Sequence, residues 1–145
     1  MKFNKSKVKK IFVFILLIFS ISTCKNEVID IIPNVHFQQT LSPGEVASMG
    51  VYDAVIKDGG YAGLIVFKNS DIEIEFLAFE RLCTYYPNDT SAVILDKSKL
   101  TATCPVCKSV FSLILDGERT SGPARLQLRK YNCFLSSSGR LTISN

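Results

Sequence analysis

The chain has 145 residues, of which 47% are apolar and 21% are charged, and this length and composition suit a single globular domain. Its formal net charge is +4, but five of its 17 basic residues are lysines within the first ten positions. Without that segment, 12 basic residues face 13 acidic ones and the net charge is −1, which leaves no basic surface to favour nucleic acid as a partner.

Residues 1–23 have the pattern of an export signal. A lysine-rich start without acids precedes the apolar run IFVFILLIFSI, which is too short to span a bilayer comfortably. The run ends in Ser22-Thr23-Cys24, which resembles the lipobox of bacterial lipoproteins. The resemblance implies that Cys24 carries the lipid and begins the mature chain, and a diacyl anchor holds a protein stably on a membrane. An ordinary cleaved signal with Cys24 as a bystander is the alternative.

This start predicts a protein of the cell envelope that is anchored to a membrane by lipid. The sequence Lys25-Asn26-Glu27 that follows Cys24 is a charged start, which favours the outer membrane or the cell surface. Residues 24–34 lack apolar periodicity and predict a tether. We expect residues 35–145 to form the folded domain.

Short β-rich runs with turn residues between them occupy the predicted domain. VHFQQTL and VYDAVI are strand candidates, and SPGEVASMG between them predicts a turn. GLIVF is continuously apolar, whereas the alternation in DIEIEFLAF predicts a half-buried strand with Glu73 and Glu75 on a solvated face. No twelve-residue window carries a helical apolar stripe, so we predict a nearly all-β domain. Its remaining strand candidates are SAVILD, KLTAT, VFSLIL, RLQLRKYNCFL and RLTIS.

Three cysteines lie in two short loops between the predicted strands. The first loop contains Cys83-Thr84-Tyr85 and the second, after 18 intervening residues, contains Cys104-Pro105-Val106-Cys107. Two such turns on adjacent hairpins can hold one metal site between them. A zinc ribbon would need a second cysteine in the first loop, and a thioredoxin-type motif would need a helix after the Cys-x-x-Cys run. The chain shows neither pattern.

In the order of its motifs, the chain resembles a Rieske domain. That family has Cys-x-His in one loop, Cys-x-x-His with Gly-Ser and an aromatic residue in the next, and then a Gly-Pro-Ala turn that covers the cluster. Here the order is CTYYP, CPVCKSVFSL, DG and GPARLQLRKY, from about Phe79 to Ser144. The earlier GGYAGLIVF is similar to a segment of exported Rieske-like lipoproteins. The resemblance implies an all-β, Rieske-like antiparallel β-sandwich with two ligand-bearing hairpin loops.

The same resemblance implies a [2Fe-2S] cluster with an altered ligand set. Cys83 and Cys104 keep the inner pair, while Tyr85 and Cys107 occupy the two histidine positions. Because a phenolate and a thiolate add negative charge where neutral imidazoles would sit, we expect a potential well below that of Rieske centres and no quinol-oxidising role. The resemblance assigns further cofactor contacts to Ser109, Gly122 and Pro123.

Three states of the site stay open. The three cysteines, with Tyr85 as fourth donor, hold [2Fe-2S] and the protein carries single electrons to an unidentified redox or envelope partner. Alternatively, the same thiols hold zinc with an unnamed fourth ligand, or nothing catalytic. In the third state two thiols form a disulfide and the protein is a clusterless β scaffold or binding module. None of the three states makes the chain an enzyme.

Several other residues are expected to be structural. Cys133 lies on a strand that leads away from the two loops and is predicted to be a small packed residue. His36, the only histidine of the chain, makes no site by itself. Tyr85 and Tyr86 can also act as aromatic packing at the loop instead of as ligands.

Overall fold

The computed structural model describes residues 31–70, 75–87 and 91–145. The predicted signal, the proposed lipidation site Cys24 and most of the predicted tether lie outside this part of the chain. Within it, no helix is long and apolar enough to cross a membrane. The elements in chain order are β1 (Gln38–Leu41), α1 (Pro43–Ser48), β2 (Ala54–Lys57), β3 (Leu64–Ser70), β4 (Glu75–Glu80), β5 (Ile94–Leu95), β6 (Thr101–Thr103), β7 (Val110–Ser112), β8 (Glu118–Ser121), β9 (Lys130–Leu135) and β10 (Leu141–Ser144).

The strands form two antiparallel sheets. One has six strands in the order β1-β10-β9-β4-β3-β2, and the other has four strands in the order β5-β6-β7-β8. Only α1 interrupts the strands and loops of the described residues. The prediction of a nearly all-β domain is confirmed.

Two apolar cores lie on the two faces of the six-stranded sheet. Ile65 and Phe67 of β3 point into the first core together with Ala102 of β6 and Phe111 of β7, so this core lies between the sheets. The adjacent residues of β3 pack in the second core with β1, β9 and β10. Because successive side chains of a strand point to opposite faces, β3 needs an apolar residue at every position to contribute to both cores. This explains the continuous apolar run GLIVF.

The strand β4 differs from its prediction. Residues 71–74 are not described, but from Phe76 to Glu80 every side chain is buried, whereas alternation predicted one solvated face. The strand is central in its sheet, between β3 and β9, and both of its faces contact a core. Only Glu75, at its start, is exposed as predicted.

The segment SPGEVASMG forms a helix where a turn was predicted. Ser42 caps α1, its hydroxyl accepts from the Glu45 N–H, and the Glu45 carboxylate accepts from the Ser42 N–H. Pro43 occupies the first turn, where its missing N–H costs nothing. This capping box stabilises one helical turn without any apolar stripe, and for that reason a search for periodicity missed it.

The domain begins to make contacts a few residues before the predicted boundary at residue 35. Ile32 is buried, and the Arg129 guanidinium donates to the Ile32 carbonyl at 3.0 Å and to Asn34 Oδ1 at 3.0 Å. The side chain of Asn145 also donates to Asn34 Oδ1, at 2.7 Å. The end of the predicted tether is therefore held against the fold.

Candidate metal centre

The first cysteine loop leaves β4 and runs towards the second sheet. The N–H of Cys83 donates to the carbonyl of Ser91 at 3.1 Å, and Leu82 pairs with Ala92 in an isolated antiparallel bridge. These contacts pair the two ends of the loop with each other as in a short hairpin. Cys83, which is fully buried, therefore has a defined position in the first core.

The second loop is the turn between β6 and β7. The N–H of Cys104 donates to the Ser109 carbonyl at 2.9 Å, and the N–H of Lys108 donates to the Cys104 carbonyl at 3.0 Å. The turn needs a left-handed residue at position 108, where φ is +62°. Glycine would adopt this conformation freely, whereas lysine adopts it at a cost. Both cysteine loops lie on hairpins, as predicted.

The two loops bring the three thiols together. The Sγ atoms of Cys83, Cys104 and Cys107 all lie within 4.8 Å of one another, and those of Cys83 and Cys107 are 3.5 Å apart. Cys83 and Cys104 are fully buried, while Cys107 is half-buried. All three are free cysteines. The three sulfurs thus form one cluster that is closed on the inner side and accessible beside Cys107.

The thiols of this cluster differ in acidity. Burial raises the pKa of Cys83 to about 12, and the neighbouring thiols add to this effect although the Tyr85 backbone N–H opposes it. Burial also disfavours the Cys107 thiolate, but interactions with Ser109 and with the two other thiols oppose this effect. Together they hold the pKa of Cys107 below its ordinary value. Cys107 therefore loses its proton before Cys83.

Ser109 links the cluster to the loop after β8. Its hydroxyl accepts from the Cys107 thiol at 3.2 Å and from the Ala124 N–H at 2.9 Å. Gly122, with a φ of +89°, lies so close to Ser109 that an added Cβ would stand 2.4 Å from the Ser109 Cα. Pro123 follows on the surface and is exposed. Of the residues that the resemblance assigned to cofactor contacts, Gly122 therefore packs on the cysteine turn and Ser109 reaches a sulfur.

Tyr85 contributes its backbone to the cluster and leaves its side chain outside. Its backbone N–H opposes the rise in the pKa of Cys83, while 52% of the residue's surface is exposed. Tyr86 is exposed as well. His36 is exposed in the segment before β1, and Cys133 packs against the second core, so neither belongs to the thiol group. Burial raises the pKa of Cys133 to about 11.

Two residues that position the first loop were missed in the sequence. Glu80, fully buried at the end of β4, accepts from the N–H groups of Tyr61, Ala62 and Leu82, at 2.7, 2.9 and 3.1 Å, and from the Tyr131 hydroxyl at 2.8 Å. Thr84 donates to the Leu126 carbonyl at 2.8 Å and so joins the loop to the one after β8. Glu80 falls on the apolar parity of DIEIEFLAFE, and an acid at such a position is the signal that could have identified it.

The spacing of the sulfurs suits ligands of one metal ion. Three thiolates at about 2.3 Å around a common centre stand roughly 4 Å apart. The cysteines of a two-iron cluster that bind different irons stand farther apart than those that share one, because the iron–iron separation adds to the span. Cys83 and Cys104 fit the inner pair of such a cluster, but Cys107, 3.5 Å from Cys83, lies too close to serve the second iron as it is placed.

The fold has counterparts among solved structures. No family model and no curated protein matches the chain. The cyanobacterial plasma membrane Rieske protein PetC3 from Synechocystis PCC 6803 matches at a TM-score of 0.50 and 18% identity, over 63% of this chain and 85% of that one. The complex of reduced oxygenase and oxidized ferredoxin in carbazole 1,9a-dioxygenase matches at a TM-score of 0.50 and 19% identity, over 74% and 92%. At these identities the likeness shows the fold alone, and the fold is Rieske-like, as predicted.

Proposed function

We propose that this protein is a lipid-anchored, non-enzymatic electron carrier of the cell envelope whose metal centre is held by Cys83, Cys104 and Cys107. One observation carries the proposal, namely that thiols from two separate loops converge within 4.8 Å of one another. Thiolate is the ligand that soft and redox-active metals prefer, and a Rieske-like fold presents such loops at one end of its smaller sheet. Its neighbours in structure are a Rieske protein and a ferredoxin complex, which supports the electron-carrier role.

The cofactor that the resemblance implies is a [2Fe-2S] cluster with Cys83 and Cys104 on the inner iron and Cys107 and Tyr85 on the outer one. Such a cluster would supply a one-electron couple of low potential. The described geometry agrees with the inner pair only, since Cys107 lies beside Cys83 and the Tyr85 side chain is exposed. What the chain itself supplies is a buried sulfur pair, a half-buried third thiol and a Ser109 hydroxyl within hydrogen-bond distance of that thiol.

One observation favours a second candidate function, that of a clusterless scaffold or binding module. The Sγ atoms of Cys83 and Cys107 are 3.5 Å apart, and a small rotation of either side chain would bring them within bonding distance. Outside the cytoplasm an unligated thiol pair oxidises, and the bridge would stabilise the domain by roughly 2 to 4 kcal/mol. That state would keep the fold and lose the metal chemistry.

Metal and sulfide analysis of the protein matured in its own envelope tests the proposal. We expect the amount of bound metal to be proportional to the amount of protein. The three thiols should resist alkylation until the metal is removed. Colourless, metal-free protein with a Cys83–Cys107 bond in its peptide map would refute the carrier function and establish the scaffold. Replacing Cys107 by His should shift the spectrum of a bound cluster towards that of Rieske centres, and an unchanged spectrum would show that Cys107 does not touch the metal.

The membrane anchor is tested separately. In cells fed a radiolabelled fatty acid, the wild-type chain should take up label and sediment with membranes, and Cys24→Ser should do neither. Labelling of the Cys24→Ser variant would refute lipidation at this residue. No nucleic acid is proposed as a partner.

A further inference from the structure

We propose that the three thiols form a trigonal site for a single thiophilic ion, Cu(I), instead of half of a two-iron cluster. The inference rests on the proposed function in one respect, that Cys83, Cys104 and Cys107 bind metal. It changes the identity of the metal and keeps the same three ligands. As the ion binds, the three thiols release their protons to solvent and three Cu–S bonds form.

The size of the cluster favours one ion. Three thiolates in a plane around a metal at about 2.3 Å stand roughly 4 Å apart. The observed sulfurs, one pair at 3.5 Å and all within 4.8 Å, require only small side-chain rotations to reach that arrangement. A two-iron cluster would instead require the turn at Cys107 to move away from Cys83. That turn is held by the two backbone hydrogen bonds between Cys104 and its neighbours Lys108 and Ser109, and by the contact of Ser109 with Gly122.

The number and kind of donors favour Cu(I) over Zn²⁺. The group contains three thiols, and no further histidine, cysteine or carboxylate of the described residues joins it. Structural zinc takes four good donors in a tetrahedron, whereas a soft monovalent ion is satisfied by thiolates alone and imposes no fourth ligand. Cys133 and His36, which could otherwise complete a zinc site, lie elsewhere in the fold.

The burial of the cluster gives the ion both protection and access. Cys83 and Cys104 are closed to solvent, while the half-buried Cys107 and the exposed Val106 form its outer side. An ion can therefore enter beside Cys107 and end between the two buried sulfurs. The half-buried Cys107 thiol would be the first to bind an incoming ion, and a site of this kind needs such an entry path.

Competitive titration tests the inference. The chain, matured in its own envelope, stripped of metal and reduced without oxygen, is titrated with Cu(I) against a Cu(I) chelator and, in parallel, with Zn²⁺. We expect one Cu(I) per chain, three sulfur neighbours by X-ray absorption, and weaker binding of Zn²⁺. Cys107→Ser should lower Cu(I) affinity by more than about 100-fold, since even partners one shell removed from a metal are worth 10- to 100-fold. Cys133→Ser is the matched control and should leave the affinity unchanged.

The outcomes separate this inference from the proposed function. Two irons and two sulfides per chain in the isolated protein would overturn the single-ion site and leave the electron carrier intact. Zinc bound more tightly than Cu(I) would overturn the choice of ion, and equal affinity of Cys107→Ser and Cys133→Ser would overturn the site itself. A Cys83–Cys107 disulfide without metal in the native envelope would refute both proposals. Because Cys107 is half-buried, its serine variant is the one expected to fold; the X-ray absorption measurement needs no variant.

Discussion

Glu80→Gln exchanges one carboxylate oxygen for an NH₂ group. Among substitutions of this size near the metal centre, we expect it to lower the stability of the domain the most. Each oxygen of the Glu80 carboxylate accepts two hydrogen bonds. Oε1 accepts from the N–H groups of Ala62 and Leu82, and Oε2 accepts from the Tyr61 N–H and the Tyr131 hydroxyl. The side chain is fully buried, so no solvent replaces a lost acceptor. Its partners lie in the loop before β3, in the first cysteine loop and in β9.

The magnitude follows from the donors that lose their acceptor. Glutamine keeps one carbonyl oxygen, and in either orientation its NH₂ group faces two donors. A buried donor without an acceptor costs about 1 to 3 kcal/mol, which gives roughly 2 to 6 kcal/mol for the pair. In the orientation that places the NH₂ group beside Tyr131, the Tyr131 hydroxyl can rotate and accept, which leaves one donor without an acceptor, so we expect about 1 to 3 kcal/mol against the 5 to 15 kcal/mol typical of a domain.

The assay is urea unfolding in reducing buffer, with wild type and variants at equal metal content. Tyr131→Phe removes one donor and should cost about 1 kcal/mol. Glu75→Gln, at an exposed position of the same strand, is the matched control and should change stability by less than about 0.5 kcal/mol. If Glu80→Gln cost less than about 1 kcal/mol, the carboxylate would not hold these three segments together and the reasoning would be wrong.

Three further predictions concern the turns and the helix cap. Gly122→Ala should lower the free energy of unfolding by more than about 1 kcal/mol and weaken metal uptake, because the new Cβ would stand 2.4 Å from the Ser109 Cα at a φ of +89°. Gly44→Ala is the control, since Gly44 has open space around it. If both variants had the same effect in urea unfolding, the close contact at Gly122 would be contradicted. Lys108→Gly should raise stability by roughly 0.5 to 1 kcal/mol because glycine relieves the left-handed backbone, and a loss of stability would mean that the Lys108 side chain contributes more than the strain costs. The ion pair with Lys57 and the Ser42 hydrogen bonds hold the pKa of Glu45 at about 2 against an ordinary value of 4.5. The ionised Glu45 carboxylate therefore adds to the free energy of unfolding above pH 4.5, and this stabilisation disappears as the pH falls to about 2. Wild type should therefore exceed Glu45→Gln in stability at pH 6 and match it near pH 2, and a difference that persists at pH 2 would exclude the carboxylate as its source.

Most of the fold class followed from local pattern. The short runs and turn residues of residues 35–145 predicted strands, and the described part of this range forms ten strands in two antiparallel sheets. Where the prediction was wrong, the competing effect can be named. The capping box at Ser42 and Glu45 formed a helix too short to show a period, and the central position of β4 buried the face that its alternating acids had marked as solvated.

For the candidate site, the sequence by itself determined which atoms are present and how far apart they are along the chain. The spacing of Cys83, Cys104 and Cys107 predicted two loops on neighbouring hairpins, because strand and turn lengths follow from local residue preferences. The same local reasoning could not assign the side chain of Tyr85, which lies outside the cluster.

The tertiary structure decided which other groups those atoms contact. The 3.5 Å between the Cys83 and Cys107 sulfurs, the burial of Glu80 and the packing of Ser109 on Gly122 depend on contacts between residues that are 13 to 51 positions apart in the chain. Such distances are set by the joint packing of two sheets and two cores. A displacement of about one ångström decides whether two atoms in this packing can bond. No local preference of the chain carries that information, and it determines whether the thiols serve one ion, two ions or each other.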